Sequence, residues 1–230
     1  MKIAIMTWFH YINYGTVLQA YALQRYLRDQ GHEVYLINYV GEDKKSSMNL
    51  KNIIERIKRK AKNTVINARY SESLSIRKKT FHDWLIANCN LTQPLKNSDL
   101  CNLEKEFDLF ICGSDQIWHA STAELFEKEY FLDFVKDTSK KVSYAPSFGQ
   151  SYICKSIEPQ VKKLISDFRM LSVREETGAE IIKNLTGKKP YVVADPVLLL
   201  DTEKWRGGGV YAYRVSIYFL LFSWRTCFAI

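Results

Sequence analysis

A short apolar run that stops abruptly at a glycine is the feature that most constrains the fold of this 230-residue chain. Residues Leu109 to Cys112 are continuously apolar, and Gly113 ends the run. A strand in a parallel sheet that is covered by helices on both faces reads as a continuous apolar run rather than an alternating one. The run therefore predicts a buried parallel strand that ends in a polar turn.

The polar turn behind this strand is a candidate ligand site, because ligands of open α/β sheets bind beyond the carboxyl ends of the strands. Gly113 lets a ligand approach the backbone closely. The residues after it offer a hydroxyl, a carboxylate and an amide, in the order Ser114, Asp115 and Gln116. A structural interpretation is also open, in which Ser114 or Asp115 caps a following helix.

Apolar runs and amphipathic helices alternate along most of the chain. Strands are predicted near residues 3, 36, 110, 143, 172 and 192, with helices between most of them. This alternation predicts a Rossmann-like, doubly wound, mainly parallel α/β sheet. The turn at residues 13–16 contains a single glycine, so the chain lacks the three-glycine fingerprint of a dinucleotide site.

The turn Asn13-Tyr14-Gly15 leads into the first predicted helix, over Thr16–Gln30. A helix N terminus has unpaired N–H groups and the positive end of the helix dipole, so this turn could hold an anion or a sugar hydroxyl. In the alternative interpretation, Asn13 caps the helix and Tyr14 packs against the protein.

The net charge of +8 is concentrated in one segment of the chain. Twelve Lys or Arg and four Asp or Glu lie between Glu42 and Thr80, so the rest of the sequence is balanced. This distribution argues against a basic face for nucleic acid. Residues 49–68 are a predicted basic amphipathic helix, which could contact an anionic membrane surface or lie solvated over a core.

The five cysteines fit neither a disulfide framework nor a zinc site, because their number is odd and no Cys-x-x-Cys pair occurs. The N-terminal apolar run is too short for a signal peptide and lacks a cleavage site. We therefore expect a cytoplasmic protein, peripheral at most to the inner face of the membrane, with no metal and no cofactor.

The last 24 residues differ in composition from the rest of the chain. Residues 207–230 contain seven aromatic residues and no Asp or Glu. Arg214 and Arg225 enclose too few residues for a membrane span. We expect one domain over residues 1–206, followed by an adhesive tail at 207–230 that lies outside the native fold and derives from a lost reading frame.

Five stretches, taken in order, resemble the polysaccharide pyruvyl transferase family. They are residues 13–23 (Asn-Tyr-Gly-Thr-Val-Leu-Gln-Ala-Tyr-Ala-Leu), 113–118 (Gly-Ser-Asp-Gln-Ile-Trp), 144–149 (Tyr-Ala-Pro-Ser-Phe-Gly), 172–175 (Ser-Val-Arg-Glu) and 195–199 (Asp-Pro-Val-Leu-Leu). The resemblance runs from Lys2 to Trp205. It implies the N-terminal half of a glycosyltransferase-B-like fold.

The resemblance also implies an activity: transfer of pyruvate from phosphoenolpyruvate, as a ketal, onto two hydroxyls of a saccharide or lipid-linked saccharide in surface polysaccharide biosynthesis. Asp115 is then the candidate catalytic residue. The implied substrate-binding residues are Asn13, Tyr14, Gly15, Gly113, Ser114, Gln116, Ser147, Phe148, Gly149 and Arg174. Arg174 could hold an anion, or pair with Glu175 or Glu176.

Family members continue into a second half that binds the donor, so the resemblance implies a truncated and inactive half of an enzyme. Two alternatives stay open. One is a saccharide-binding half-domain, and the other is a glycosyltransferase that uses a nucleotide sugar.

Overall fold

The computed structural model describes residues 1–41 and 72–207, and the chain forms two compact units, Met1–Leu199 and Leu200–Ile230. All the strands among the described residues lie in the first unit. The predicted basic helix at 49–68 lies outside the described residues, as does all of the tail after Gly207.

The first unit is mixed α/β structure. Its strands are β1 (Lys2–Met6), β2 (Glu33–Leu36), β3 (Leu109–Cys112), β4 (Lys141–Ser143), β5 (Ser172–Val173) and β6 (Tyr191–Val192). Its helices are α1 (Tyr14–Asp29), α2 (72–88), α3 (Asn97–Leu100), α4 (Glu158–Ser166) and α5 (Glu176–Thr186). Helix α6 (Thr202–Gly207) belongs to the second unit.

The sheet is parallel, with the strand order β2-β1-β3-β4. Strand β5 pairs in parallel with β6, and one parallel bridge from Val142 to Met170 joins this pair to β4. On the other side, Leu91 bridges to Leu36 of β2. The predicted Rossmann-like sheet is therefore confirmed, with all six predicted strands in place.

Strand β3 lies in the centre of the sheet, as its apolar sequence predicts. Phe110, Ile111 and Cys112 are buried, and the core continues into the segment after the strand. There the Trp118 ring stacks on Phe131 with centroids 5.2 Å apart. The Trp118 indole Nε1 also donates to the carbonyl oxygen of Tyr130 at 3.1 Å, so its one polar group is satisfied.

Helices α1 and α2 pack through aromatic pairs. The ring of Tyr14 lies 4.9 Å from that of Phe81, and Tyr21 lies 5.1 Å from Trp84. Tyr21 is buried, and the two ring pairs place α2 against α1.

The interpretation in which Ser114 or Asp115 caps a helix is wrong. Residues 113–127 contain no helix, and the chain passes through bends and turns until a 3-10 turn at Lys128–Phe131. The reason lies in the backbone, because Gly113 has φ +120° and Asp115 has φ +70°. Neither value is compatible with a right-handed helix.

No helix in the part of the chain that the structure describes has both the length and the apolar composition needed to cross a bilayer.

Candidate active site

The candidate site lies where the sheet order reverses. From β1 the chain passes to β2 on one side, and β3 then pairs with the other side of β1. Such a switch point opens a crevice beyond the carboxyl ends of the two strands. Helix α1 begins after β1, the turn 113–116 follows β3, and residues 144–149 follow β4, so all three segments lie at this edge.

The side chain of Gln19 clamps the turn that follows β3. Its Oε1 accepts from the Ser114 backbone N–H at 3.1 Å, and its Nε2 donates to Thr7 Oγ1 at 3.0 Å. Thr7 Oγ1 in turn donates to the Ser114 carbonyl oxygen at 2.9 Å. Gln19 is 2% exposed and Ser114 is fully buried, so this ring of hydrogen bonds is closed to water. It joins the ends of β1 and β3 to helix α1.

The turns after β3 and β4 interlock. Ser114 Oγ donates to the carbonyl oxygen of Ala145 at 2.8 Å, and the Ser147 N–H donates to the carbonyl oxygen of Asp115 at 2.8 Å. Gly113 permits this contact, because a Cβ at this position would lie 2.0 Å from the Tyr144 carbonyl oxygen. The two turns therefore form one rigid unit at the edge of the sheet.

Asp115 has an unusual backbone conformation, and only one of its two carboxylate oxygens accepts a hydrogen bond. Its φ is +70°, and Oδ1 accepts from the Gln116 N–H at 2.8 Å. The second oxygen, Oδ2, is buried without a hydrogen-bond partner. Strained backbone and unsatisfied buried polar groups both concentrate at functional sites.

Gly149 lies against the side chain of Gln116. A Cβ on Gly149 would lie 2.9 Å from Gln116 Cδ, and φ at this glycine is +64°. The next residue, Gln150, has both side-chain amide atoms buried without a partner. One carboxylate and two amides thus lie on the interlocked turns.

At the start of α1, Asn13 caps the helix and Tyr14 packs against the protein, as the alternative interpretation predicted. Asn13 is the N-cap, since its Oδ1 accepts from the Thr16 N–H at 3.3 Å. Tyr14 packs on Phe81 and remains 59% exposed. Gly15 is exposed beside them. A role for this turn in binding stays a prediction.

Two further candidates lie on the turn after β4 but face the protein interior. Phe148 is fully buried and packs on Trp118, with ring centroids 5.5 Å apart. The buried Ser147 hydroxyl accepts from the Gly149 N–H at 2.9 Å. Both residues therefore support the turn from beneath in this structure.

Arg174 forms an ion pair, which was one of the two roles predicted for it, but the nearest acidic partner is not one of the two that were predicted. Its Nη1 lies 2.9 Å from Asp195 Oδ2, whereas its Nε lies 3.8 Å from Glu175 Oε2. The Asp195 pair arises because β5 and β6 are neighbours and both residues follow these strands.

The turns after β1 and β3 are poor in positive charge. Residues 7–13 and 113–127 contain no Lys or Arg. In the described ranges, no group of three or more His, Cys, Asp or Glu side chains is arranged to hold a metal ion. The edge therefore offers hydrogen-bonding groups and a carboxylate.

A match to the family model for polysaccharide pyruvyl transferase covers residues 13–220, which include helix α1 and the turns after β3 and β4. The chain belongs to this family. The match confirms the resemblance and includes every site residue that was predicted from the sequence. The match also runs beyond residue 206, and the status of the tail stays a prediction. No curated protein and no solved structure matches the chain significantly.

Three residues of the candidate site were not predicted from the sequence: Thr7, Gln19 and Gln150. Gln19 carried a usable signal, since it lies on the same helical face as buried apolar residues such as Leu23. A polar side chain on such a face needs a buried partner. Thr7 and Gln150 carried no such signal, because only the tertiary contacts distinguish them from ordinary loop residues.

Proposed function

We propose that this chain forms the acceptor side of a pyruvyl transferase. The interlocked turns would hold a saccharide, or a lipid-linked saccharide, whose hydroxyls receive pyruvate from phosphoenolpyruvate during surface polysaccharide synthesis. The observation that supports this most is the buried, unpartnered Oδ2 of Asp115 at the switch point of the sheet in a chain of this family.

The proposed reaction assigns a role to that oxygen. A proton is added to the methylene carbon of phosphoenolpyruvate and converts it to a methyl group. A sugar hydroxyl then attacks the central carbon, and Asp115 orients this hydroxyl and accepts its proton. A second hydroxyl closes the ketal as the C–O bond to phosphate breaks. In the net reaction the acceptor loses two hydroxyl protons. One of them is found in the new methyl group and the other on the departing phosphate.

The donor needs groups that these turns do not supply. Phosphoenolpyruvate carries a phosphate and a carboxylate, which proteins hold with Arg and Lys. The turns after β1 and β3 contain neither residue type, and Arg174 is paired with Asp195. We therefore propose that the cations for the donor come from residues outside these turns. From the family resemblance, we also propose that the 230-residue chain by itself shows no turnover.

Two assays on the 230-residue chain test the proposal. Saturation-transfer NMR with methyl pyranosides should show saccharide binding that Asp115→Asn weakens. Phosphate release from phosphoenolpyruvate should stay at the rate measured without a saccharide. Saccharide-dependent phosphate release would contradict the proposed lack of turnover, and equal binding by the Asp115→Asn variant would return Asp115 to a structural role. In a family member that turns over, the matching Asp→Asn change should lower kcat.

A further inference from the structure

We propose that Gln150 is a saccharide-binding residue whose side-chain amide pairs with a sugar hydroxyl beside Asp115. This assignment rests on the proposed acceptor site and extends it to a residue that the sequence motifs do not contain. It also specifies the ligand as a neutral polyhydroxyl group and excludes an anion.

The first observation is the state of the Gln150 amide. Both Oε1 and Nε2 are buried, and neither has a hydrogen-bond partner. An unpaired buried amide is unfavourable, and native proteins pair the large majority of such groups. Gln150 therefore occupies a position where a ligand would supply the missing donor and acceptor.

The second observation is the position of Gln150 on the interlocked turns. It follows Gly149, which packs on the Gln116 side chain, and Ser147 ties the same turn to the backbone of Asp115. The unpartnered Asp115 Oδ2 lies on the other turn of the pair. The unsatisfied groups in this part of the chain are thus one carboxylate oxygen and one complete amide, on two turns that hold each other in place.

The chemistry of these groups selects the ligand class. A hydroxyl both donates and accepts, so it can satisfy a carboxylate oxygen, an amide oxygen or an amide N–H. The negative charge of an anion would be repelled by the Asp115 carboxylate. Since residues 113–127 contain no Lys or Arg to offset that repulsion, a sugar hydroxyl pair fits and a phosphate does not.

The experiment compares Gln150→Leu with Gln160→Leu in the 230-residue chain. Gln160 is exposed on helix α4, so its variant matches the chemistry of the change outside the site. Titrations followed by NMR use the methyl α-pyranosides of glucose, galactose and mannose, with inorganic phosphate as the anion probe. Thermal unfolding of each variant is measured in parallel.

Gln150→Leu should weaken the affinity for whichever pyranoside binds best by about tenfold or more, while Gln160→Leu leaves it unchanged. The melting temperature of Gln150→Leu should stay the same or rise, because the change removes an unpaired buried amide. The assignment would be overturned by equal affinity in the two variants or by a lower melting temperature for Gln150→Leu. It would also be overturned if phosphate binds more tightly than every pyranoside, or if no pyranoside binds at all. If Gln150→Leu loses pyranoside binding but no family member transfers pyruvate, the proposed reaction is rejected and the saccharide-binding role of Gln150 is retained.

Discussion

The substitution Gln19→Leu tests whether the buried clamp on Ser114 holds the site together. Leucine has a similar volume but no polar atoms, so the Ser114 N–H and the carbonyl oxygen of Trp8 lose their side-chain partner. An unsatisfied buried group costs about 1–3 kcal/mol, so two such groups predict a loss of about 2–6 kcal/mol in the free energy of unfolding. Thr7→Val removes the donor to the Ser114 carbonyl and should cost about 1–3 kcal/mol.

The two substitutions should not be additive, because Gln19 and Thr7 bond to each other and to the same peptide group. Denaturant unfolding of the two single variants and the double variant gives the coupling free energy, which we expect to lie at about 0.5–3 kcal/mol. A double variant that loses the sum of the two single losses, within about 0.3–0.5 kcal/mol, would refute the clamp.

Gln24→Leu is the matched buried control. Gln24 lies on the same helix, and its Nε2 donates to the carbonyl oxygens of Asn90 at 2.8 Å and Val34 at 3.2 Å, at the β2 side of the sheet. Its loss should lower stability by a similar amount and leave saccharide binding unchanged at temperatures where both variants are folded. Equal loss of binding in Gln19→Leu and Gln24→Leu would show that the binding defect reflects stability alone.

Three other substitutions test separate features of the fold. Gly113→Ala should lower the free energy of unfolding by more than about 3 kcal/mol, since its Cβ would lie 2.0 Å from a backbone carbonyl oxygen. Gly31→Ala, at φ +85° with open space around it, should lower it by only about 1 kcal/mol, and similar losses for both variants would contradict the close approach at Gly113. The Ser156 hydroxyl lowers the pKa of the Cys154 thiol, so Ser156→Ala should slow the reaction of Cys154 with a disulfide reagent at neutral pH, and an unchanged rate would rule out this activation. Burial lowers the pKa of Lys141 from 10.5, so the folded chain releases this proton at a lower pH than the unfolded chain. The free energy of unfolding, relative to that of Lys141→Met, should therefore rise as the pH increases toward 10.5, and a difference between the two proteins that does not change with pH would contradict the burial effect.

Much of the sheet could be predicted because its strands read as apolar runs. Leu109 to Cys112 predicted a central strand, and this strand pairs with β1 and β4 in the structure. The β-α alternation also predicted that the turns after β1 and β3 lie at one edge of the sheet, whereas the strand order came only from the structure. The family motifs named the turn 113–118, and the structure places that turn at the same edge.

The details of the site depended on contacts that no local pattern encodes. A helix after Gly113 was a reasonable alternative from the sequence, but Asp115 has a left-handed φ, and its carbonyl oxygen accepts from the N–H of Ser147, which lies far along the chain. The partner of Arg174 was missed for the same reason, since Asp195 approaches it only because β5 and β6 pair. Gln150 looked like an ordinary loop residue until its amide was found buried without a partner.

The most direct test of the account is a map of backbone amide chemical shifts in the ¹⁵N-labelled 230-residue chain during titration with the pyranoside that binds best. We predict that the perturbed amides lie at residues 13–15, 113–118 and 144–150, at the carboxyl edge of the sheet. The opposite edge offers a cavity of about 370 Å³ lined by Thr138, Ser139, Ser166, Asp167, Phe168 and Arg169, before strands β4 and β5. Shifts confined to that cavity, with none at residues 113–118, would contradict the assignment of the site.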